Sequence, residues 1–295
     1  MVKSFVTLTD LSASSIDILL DRAHFFLSHS HELPPILKNK IIALLFFEPS
    51  TRTRVSFEMA TLKLGGKVIN LNHDQSSLTK QESLEDTLKT IQAIGADAIV
   101  LRHKDDAASE KWAPELKIPL INGGAGKKEH PSQCLLDLLT LKQEFKKLSG
   151  LHVGIIGDIK HSRVASSFIQ IADRFKIKVS LLAPEDFLPS AYKNSSWSDL
   201  YQCDAIMCLR YQLERMEGVI DLKNLIHDYC LTKDRFKHFK SNTIIMHPAP
   251  INHGIEITTE MVHHPQSRIF KQMELGVFAR MSIFEYLFNQ GPWNE

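Results

Sequence analysis

Cysteine is scarce in this chain, four residues in 295, and no two of them form a Cys-x-x-Cys pair. A disulfide framework and a zinc site are both unsupported, and Cys134, Cys203, Cys208 and Cys230 read as reduced, idle thiols. An excess of charge of one sign is missing too. The 35 Lys and Arg against 34 Asp and Glu leave a formal net charge of +1, which offers no electrostatic footing for nucleic acid or an anionic membrane surface. No apolar run reaches membrane-spanning length, and Met1-Val2-Lys3-Ser4-Phe5 lacks the apolar core of a signal peptide. A cytoplasmic protein without membrane or nucleic-acid partners is expected. Of the 14 histidines, only His263 and His264 are neighbours, with no third ligand in view, so no metal site is expected.

Glycine-rich nucleotide loops are also lacking. Gly154-Ile155-Ile156-Gly157 follows a strand pattern but omits the second glycine of Gly-x-Gly-x-x-Gly. In Gly123-Gly124-Ala125-Gly126-Lys127-Lys128, Ile121 stands where a phosphate loop needs its first glycine and Lys128 where it needs a hydroxyl. Dinucleotide and ATP sites drop out, and no cofactor is expected.

What is present is a length sufficient for two cores, with 43% hydrophobic and 23% charged residues. Strand patterns at 41–47, 67–71, 98–102, 119–121, 153–156, 179–183, 205–209 and 243–246 alternate with helical ones, among them 52–64, 82–94, 134–147, 162–175 and 270–288. Near-continuous Ile/Val/Leu strands separated by helices predict parallel sheets covered on both faces. The long helix after Pro131, with its charged end at 142–147 before Gly150, reads as a spacer between two four-stranded halves. The expected fold is α/β: two doubly wound domains with parallel sheets, joined by a long interdomain helix and a C-terminal helix.

The chemistry concentrates at strand ends. Phe46-Phe47-Glu48-Pro49-Ser50-Thr51-Arg52-Thr53-Arg54 takes the chain from a strand into a helix start. Free backbone N–H groups and the positive helix end there, with hydroxyls from Ser50, Thr51 and Thr53 and the Arg52 guanidinium, make an anion cradle suited to phosphate. An ordinary Ser/Thr cap with a solvated arginine pair is the weaker reading. Arg102 ends a strand, where ligands bind in open α/β sheets. His130 and Gln133, three apart around Pro131, can point one way as donor and acceptor. Arg163 opens a helix after the fifth strand. Arg210, Gln212 and Arg215 follow the seventh. His247-Pro248-Ala249-Pro250 follows the eighth, with backbone carbonyls that cannot join a helix. Ser76-Ser77-Leu78-Thr79-Lys80-Gln81 by composition alone is a solvated turn.

Ser50-Thr51-Arg52-Thr53-Arg54 followed by Val55-Ser56-Phe57-Glu58, with His130-Pro131-Ser132-Gln133 and His247-Pro248-Ala249-Pro250, resembles the aspartate/ornithine carbamoyltransferase family from Phe46 to Arg280. Arg210-Tyr211-Gln212 in place of a Ser-Met-Gly segment, and His-Pro-Ala-Pro in place of His-Cys-Leu-Pro, point to its aspartate branch, since paired arginines suit a dicarboxylate. The resemblance implies a carbamoyl-phosphate domain, 1–131 with 277–295, and an aspartate domain, 132–276. It implies transfer of a carbamoyl group from carbamoyl phosphate to L-aspartate in pyrimidine synthesis, by a homotrimer with shared active sites. Ser50, Thr51, Arg52 and Thr53 would hold the phosphate, with Ser76 and Lys80 from the neighbouring subunit. Thr53, Arg102 and His130, the catalytic set with Lys80, would face the carbonyl oxygen. Gln133 and the Pro248 carbonyl would orient the carbamoyl amine. Lys80, Arg163, Arg210, Gln212 and the Ala249 carbonyl would receive aspartate. Glu48 would serve domain closure, reaching Arg163 and Arg215. Gln81 departs from the glycine usual after that lysine. An ornithine-type enzyme and a non-catalytic scaffold are the alternatives, and a regulatory chain or another pyrimidine enzyme stays open as a partner.

Overall fold

The computed structural model describes residues 2–72, 82–126, 128–212 and 221–288. Two compact units emerge, Met1–Leu139 with Met273–Glu295, and Thr140–Gln272. The first runs α1 (Ala13–Ser28), β1 (Ile41–Phe46), α2 (Thr51–Lys63), β2 (Lys67–Asn72), α3 (Leu84–Ala93), β3 (Ala98–His103), α4 (Ala108–Trp112) and β4 (Leu120–Ala125). Helix α5 (Pro131–Phe145) carries the chain out of it. The second holds β5 (His152–Gly157), α6 (Arg163–Ala172), β6 (Lys178–Leu182), α7 (Trp197–Leu200), β7 (Ala205–Leu209), α8 (Leu222–Tyr229), α9 (Lys233–Phe236), β8 (Ile244–Met246) and α10 (Thr259–Val262). Helix α11 (Ile269–Leu287) returns the chain to the first unit.

Each unit has one four-stranded sheet, ordered β2-β1-β3-β4 and β6-β5-β7-β8, with every pairing parallel. This is the fold class expected from the strand and helix periods. The inner strands are apolar throughout because both faces are covered: Ile42 to Leu45 and Ala98 to Leu101 are fully buried. Edge strand β2 is polar and half exposed by contrast.

Both strand orders reverse direction at one place, between β1 and β3 in the first sheet and between β5 and β7 in the second. At such a switch point the following loops diverge, leaving a crevice at the carboxyl ends. In the first unit Phe47 N donates to Arg102 O at 2.9 Å, so the loop after β1 runs beside the end of β3.

One element differs from the sequence reading. Strand β4 runs on through Asn122, Gly123 and Gly124 to Ala125, so the glycine run is strand rather than loop. Asn122 holds it, donating to Val6 O and accepting from Gly124 N. All four cysteines are buried free thiols, and burial pushes Cys203 up to about 12 and Cys230 to about 11. Among the described residues, no helix is long and apolar enough to cross a membrane.

Candidate active site

In the first unit, candidate residues gather at the carboxyl edge of its sheet. Helix α3 begins with a side-chain cap and first-turn acids: Ser83 accepts from Asp86 N, and Glu85 and Asp86 lie in the first turn. Helix α2 begins differently. Ser50 makes no side-chain cap, and no acidic residue occupies the first turn. Its N-terminal N–H groups and positive dipole end, in the stretch that carries Thr51, Arg52 and Thr53, have the character that suits an anion.

Beside that helix end lie polar side chains that folding has buried: Thr53, Arg102, His130 and Gln133. His130 Nε2 is 3.3 Å from Thr53 Oγ1, so two sequence-predicted residues 77 positions apart meet. Arg102 is only 8% exposed, deeper than a strand-end arginine suggests. Its Nη1 donates to Gly123 O at 3.3 Å, and its Nε faces Glu48 Oε2 at 3.7 Å. Arg54 reaches Glu58 at 3.4 Å and Asn70 Oδ1 at 3.5 Å. Gln133 Nε2 donates to the buried Asp137 Oδ1 at 3.0 Å, which leaves the Gln133 carbonyl oxygen as its acceptor end.

In the second unit, a separate group of candidate residues gathers at the carboxyl edge of its own sheet. Gly157 ends β5 with φ 118°, and a Cβ there would lie 2.3 Å from Leu209 O, so the backbones of β5 and β7 can approach only because it is glycine. The next residue, Asp158, is fully buried. Its Oδ1 accepts from His161 N at 3.1 Å and lies 2.9 Å from His161 Nδ1, while its Oδ2 accepts from Gln212 N at 3.3 Å. Gln212 Nε2 donates in turn to His161 O at 2.8 Å. One carboxylate thus ties the loop that ends in Arg163, the first residue of α6, to the loop carrying Arg210 and Gln212. After β8, Pro248 and Ala249 follow the buried His247, and Ala249 adopts φ 54°.

A model of the aspartate/ornithine carbamoyltransferase carbamoyl-P binding domain matches residues 3–143, and one of that family's Asp/Orn binding domain matches 149–287. The chain belongs to the aspartate/ornithine carbamoyltransferase family. It is 41% identical over 297 residues to an aspartate carbamoyltransferase catalytic subunit from a Nitratiruptor species, covering 99% of this chain and 100% of that one. The catalytic subunit of M. jannaschii aspartate transcarbamoylase superimposes with a TM-score of 0.89 at 32% identity, over 98% of this chain and 99% of that one. An aspartate transcarbamoylase from Trypanosoma cruzi, solved in complex with carbamoyl phosphate and aspartate, gives 0.86 at 30% identity, over 95% and 94%.

Within this carbamoyltransferase fold, Ser76, Lys80, Gln81 and Arg215 lie outside the described residues. The structure adds residues to which sequence reasoning gave no role. Arg280 on α11 is 3% exposed; its Nη1 donates to Ser56 Oγ at 3.0 Å and Gly276 O at 2.9 Å, and its Nη2 reaches Ser132 Oγ at 3.4 Å. It therefore ties together α2 and α5, the two helices whose first turns carry Thr53 and Gln133. Burial lowers the Arg280 guanidinium to about 9 against the opposing pull of Asp137, so it remains charged at neutral pH. Asp158 could have been suspected, as an acid directly after a strand-ending glycine. Arg280, in the middle of an apolar helix pattern, carries no comparable local signal.

Proposed function

We propose that this chain transfers the carbamoyl group of carbamoyl phosphate to the amine of L-aspartate, giving N-carbamoyl-L-aspartate and phosphate. The observation that carries this reading is the placement of both residue sets at the carboxyl edges of their sheets: the open α2 end with buried Thr53, His130 and Arg102 in one unit, and Arg163, Arg210 and Gln212 around Asp158 in the other. The first suits a phosphate with an adjoining carbonyl, the second a dicarboxylate.

In this reading the aspartate amine attacks the carbamoyl carbon. Thr53, Arg102 and His130 stabilise the oxyanion that forms, a contribution of about 3–4 kcal/mol for a single preorganised donor. Ser50, Thr51 and Arg52, with Ser76 and Lys80 of a neighbouring subunit, bind the phosphate. Gln133 and the Pro248 carbonyl hold the carbamoyl NH₂, and the Ala249 carbonyl faces the attacking amine. The C–O bond to phosphate then breaks, and the departing phosphate accepts the ammonium proton, so no side chain need act as base. Positioning supplies most of the remaining acceleration.

Turnover with aspartate and little with ornithine is expected from the purified chain, because two arginines complement two carboxylates and repel a diamino acid. Measuring kcat/KM for both amines decides the branch, and a higher value for ornithine would overturn it.

Subunit sharing rests on a surface feature. Helix α2 exposes Val55, Met59 and Leu62 at i, i+4, i+7, one continuous apolar face, and neighbouring β2 exposes Ile69. A second copy of the chain, as in a homotrimer, is the partner proposed for this face.

Glu48 is proposed to leave Arg102 when the anion arrives and to pair with Arg163 and Arg215 in the substrate-bound form. Glu48→Gln should still bind carbamoyl phosphate while apparent aspartate affinity and kcat fall together, by the about 1–3 kcal/mol typical of such couplings. Unchanged aspartate kinetics would return Glu48 to an ordinary partner of Arg102.

A further inference from the structure

The loop after β8 is held by a buried polar chain that the proposed chemistry leaves unused. His247 is 1% exposed, as is Glu256. Ala249 N donates to His247 Nδ1 at 2.8 Å. An imidazole nitrogen that accepts carries no proton, so the ring proton is on Nε2, which faces Glu256 Oε1 at 3.1 Å. The same Oε1 accepts from Asn252 N at 2.6 Å, and Asn252 Nδ2 reaches Tyr211 O at 3.3 Å, between Arg210 and Gln212. On the other side, His247 N donates to Gln272 Oε1 at 2.9 Å.

This chain has a directional consequence. The Pro248–Ala249 peptide is trans, and in a trans peptide the C=O points opposite to the N–H. With the Ala249 N–H held by the His247 ring, the Pro248 carbonyl must point away from that ring. Proline at 248 removes its own N–H, and the positive φ at Ala249 turns the chain at once afterwards, so the carbonyl is displayed and not absorbed into a helix or ladder. Glu256 Oε2 is buried with no hydrogen-bond partner among the described residues. A carboxylate kept in such a place is costly unless its other oxygen does something specific.

We propose that Glu256 and His247 are positioning residues that aim the Pro248 carbonyl at the NH₂ group of the carbamoyl donor. Glu256 fixes the ring tautomer and rotation, the ring fixes the Ala249 N–H, and the peptide plane fixes the carbonyl. Through this relay a carboxylate that touches no substrate sets the preference for a donor bearing an amine. The inference rests on the reading above that the Pro248 carbonyl receives that amine.

Acetyl phosphate separates the two, since it replaces the carbamoyl NH₂ by a methyl group and keeps the phosphate. The measurement is kcat/KM for carbamoyl phosphate over that for acetyl phosphate, with aspartate as acceptor, in the full chain. The parent should prefer carbamoyl phosphate strongly. His247→Leu removes the acceptor for Ala249 N and should lower the ratio about tenfold or more, the scale expected when an oriented group is misplaced. His247→Asn keeps an acceptor for the N–H two residues on, as an Asx turn, and should restore most of the ratio. Glu256→Leu should behave as His247→Leu, and Glu256→Gln, which keeps an oxygen for Nε2–H, as the parent. A parent ratio near one would overturn the reading of the Pro248 carbonyl itself. A large parent ratio that all four variants retain would leave that reading standing and overturn the relay. If the two leucine variants do not fold, the ratio in His247→Asn against His247→Gln decides, because glutamine at that position cannot close the Asx turn; equal ratios there refute the relay.

Discussion

Arg102→Ala is expected to reduce kcat by about two orders of magnitude or more, the cost of losing one preorganised oxyanion donor. The guanidinium is nearly buried, touches the Gly123 carbonyl and faces Glu48, so it stands in a fixed orientation before any substrate arrives. Its loss also leaves Glu48 without this neighbouring cation beside an anion site, which adds repulsion of carbamoyl phosphate to the loss of stabilisation. Arg102→Lys should recover only part of the activity, because an ammonium supplies charge without the planar fork. Steady-state kinetics with a thermal melt separates catalysis from folding. A folded Arg102→Ala variant within a few-fold of the parent would remove Arg102 from the oxyanion site.

The second large effect tests the proposal that each active site is built from two chains. Arg52→Ala and Lys80→Ala oligomers should each be almost inactive, since each site then lacks one phosphate-binding cation. Mixing the two variants under subunit exchange should regain a measurable fraction of parent activity, because some interfaces then pair an intact Arg52 with an intact Lys80. The apolar face of α2, with Val55, Met59 and Leu62, adjoins the turn that carries Arg52 and is the surface on which such an interface would form. Hybrids shown by mass to have formed, yet inactive, would mean that each chain completes its own site.

Much of the molecule was readable along the chain, for a specific reason. The inner strands are parallel and covered on both faces, so they appear as apolar runs such as Ile-Ile-Ala-Leu-Leu-Phe, bounded by helical periods. The helix start proposed as an anion cradle is legible because its parts are contiguous: hydroxyls, guanidinium and helix start lie within Ser50–Arg54. The sequence pattern ends strand β4 at 121, because two glycines disfavour strand when read locally. Pairing with β3 and the Asn122 side chain override that propensity.

Residues whose role depends on distant partners gave no such signal. Arg280 meets Ser56 across 224 residues and Ser132 across 148, and in sequence it is one cation in an apolar helix. Asp158 has a local mark, its place after a strand-ending glycine, but its partner Gln212 lies 54 residues away. Glu256 lies only nine residues from His247, yet nothing in the intervening stretch marks it as buried.

By itself, then, the amino-acid order determined the periods of the elements, the hydroxyls and guanidinium gathered at Ser50–Arg54 and the presence of Arg163 and Arg210 after strands, because backbone propensity and side-chain chemistry are local properties. Only the tertiary structure decided the strand orders with their two switch points, the burial of Thr53, His130 and Arg102, and the His247–Glu256 contact behind the loop after β8. Those depend on which groups are brought together and shielded from water. A hydrogen bond or charge acquires its full weight only where packing has lowered the dielectric and fixed its partner.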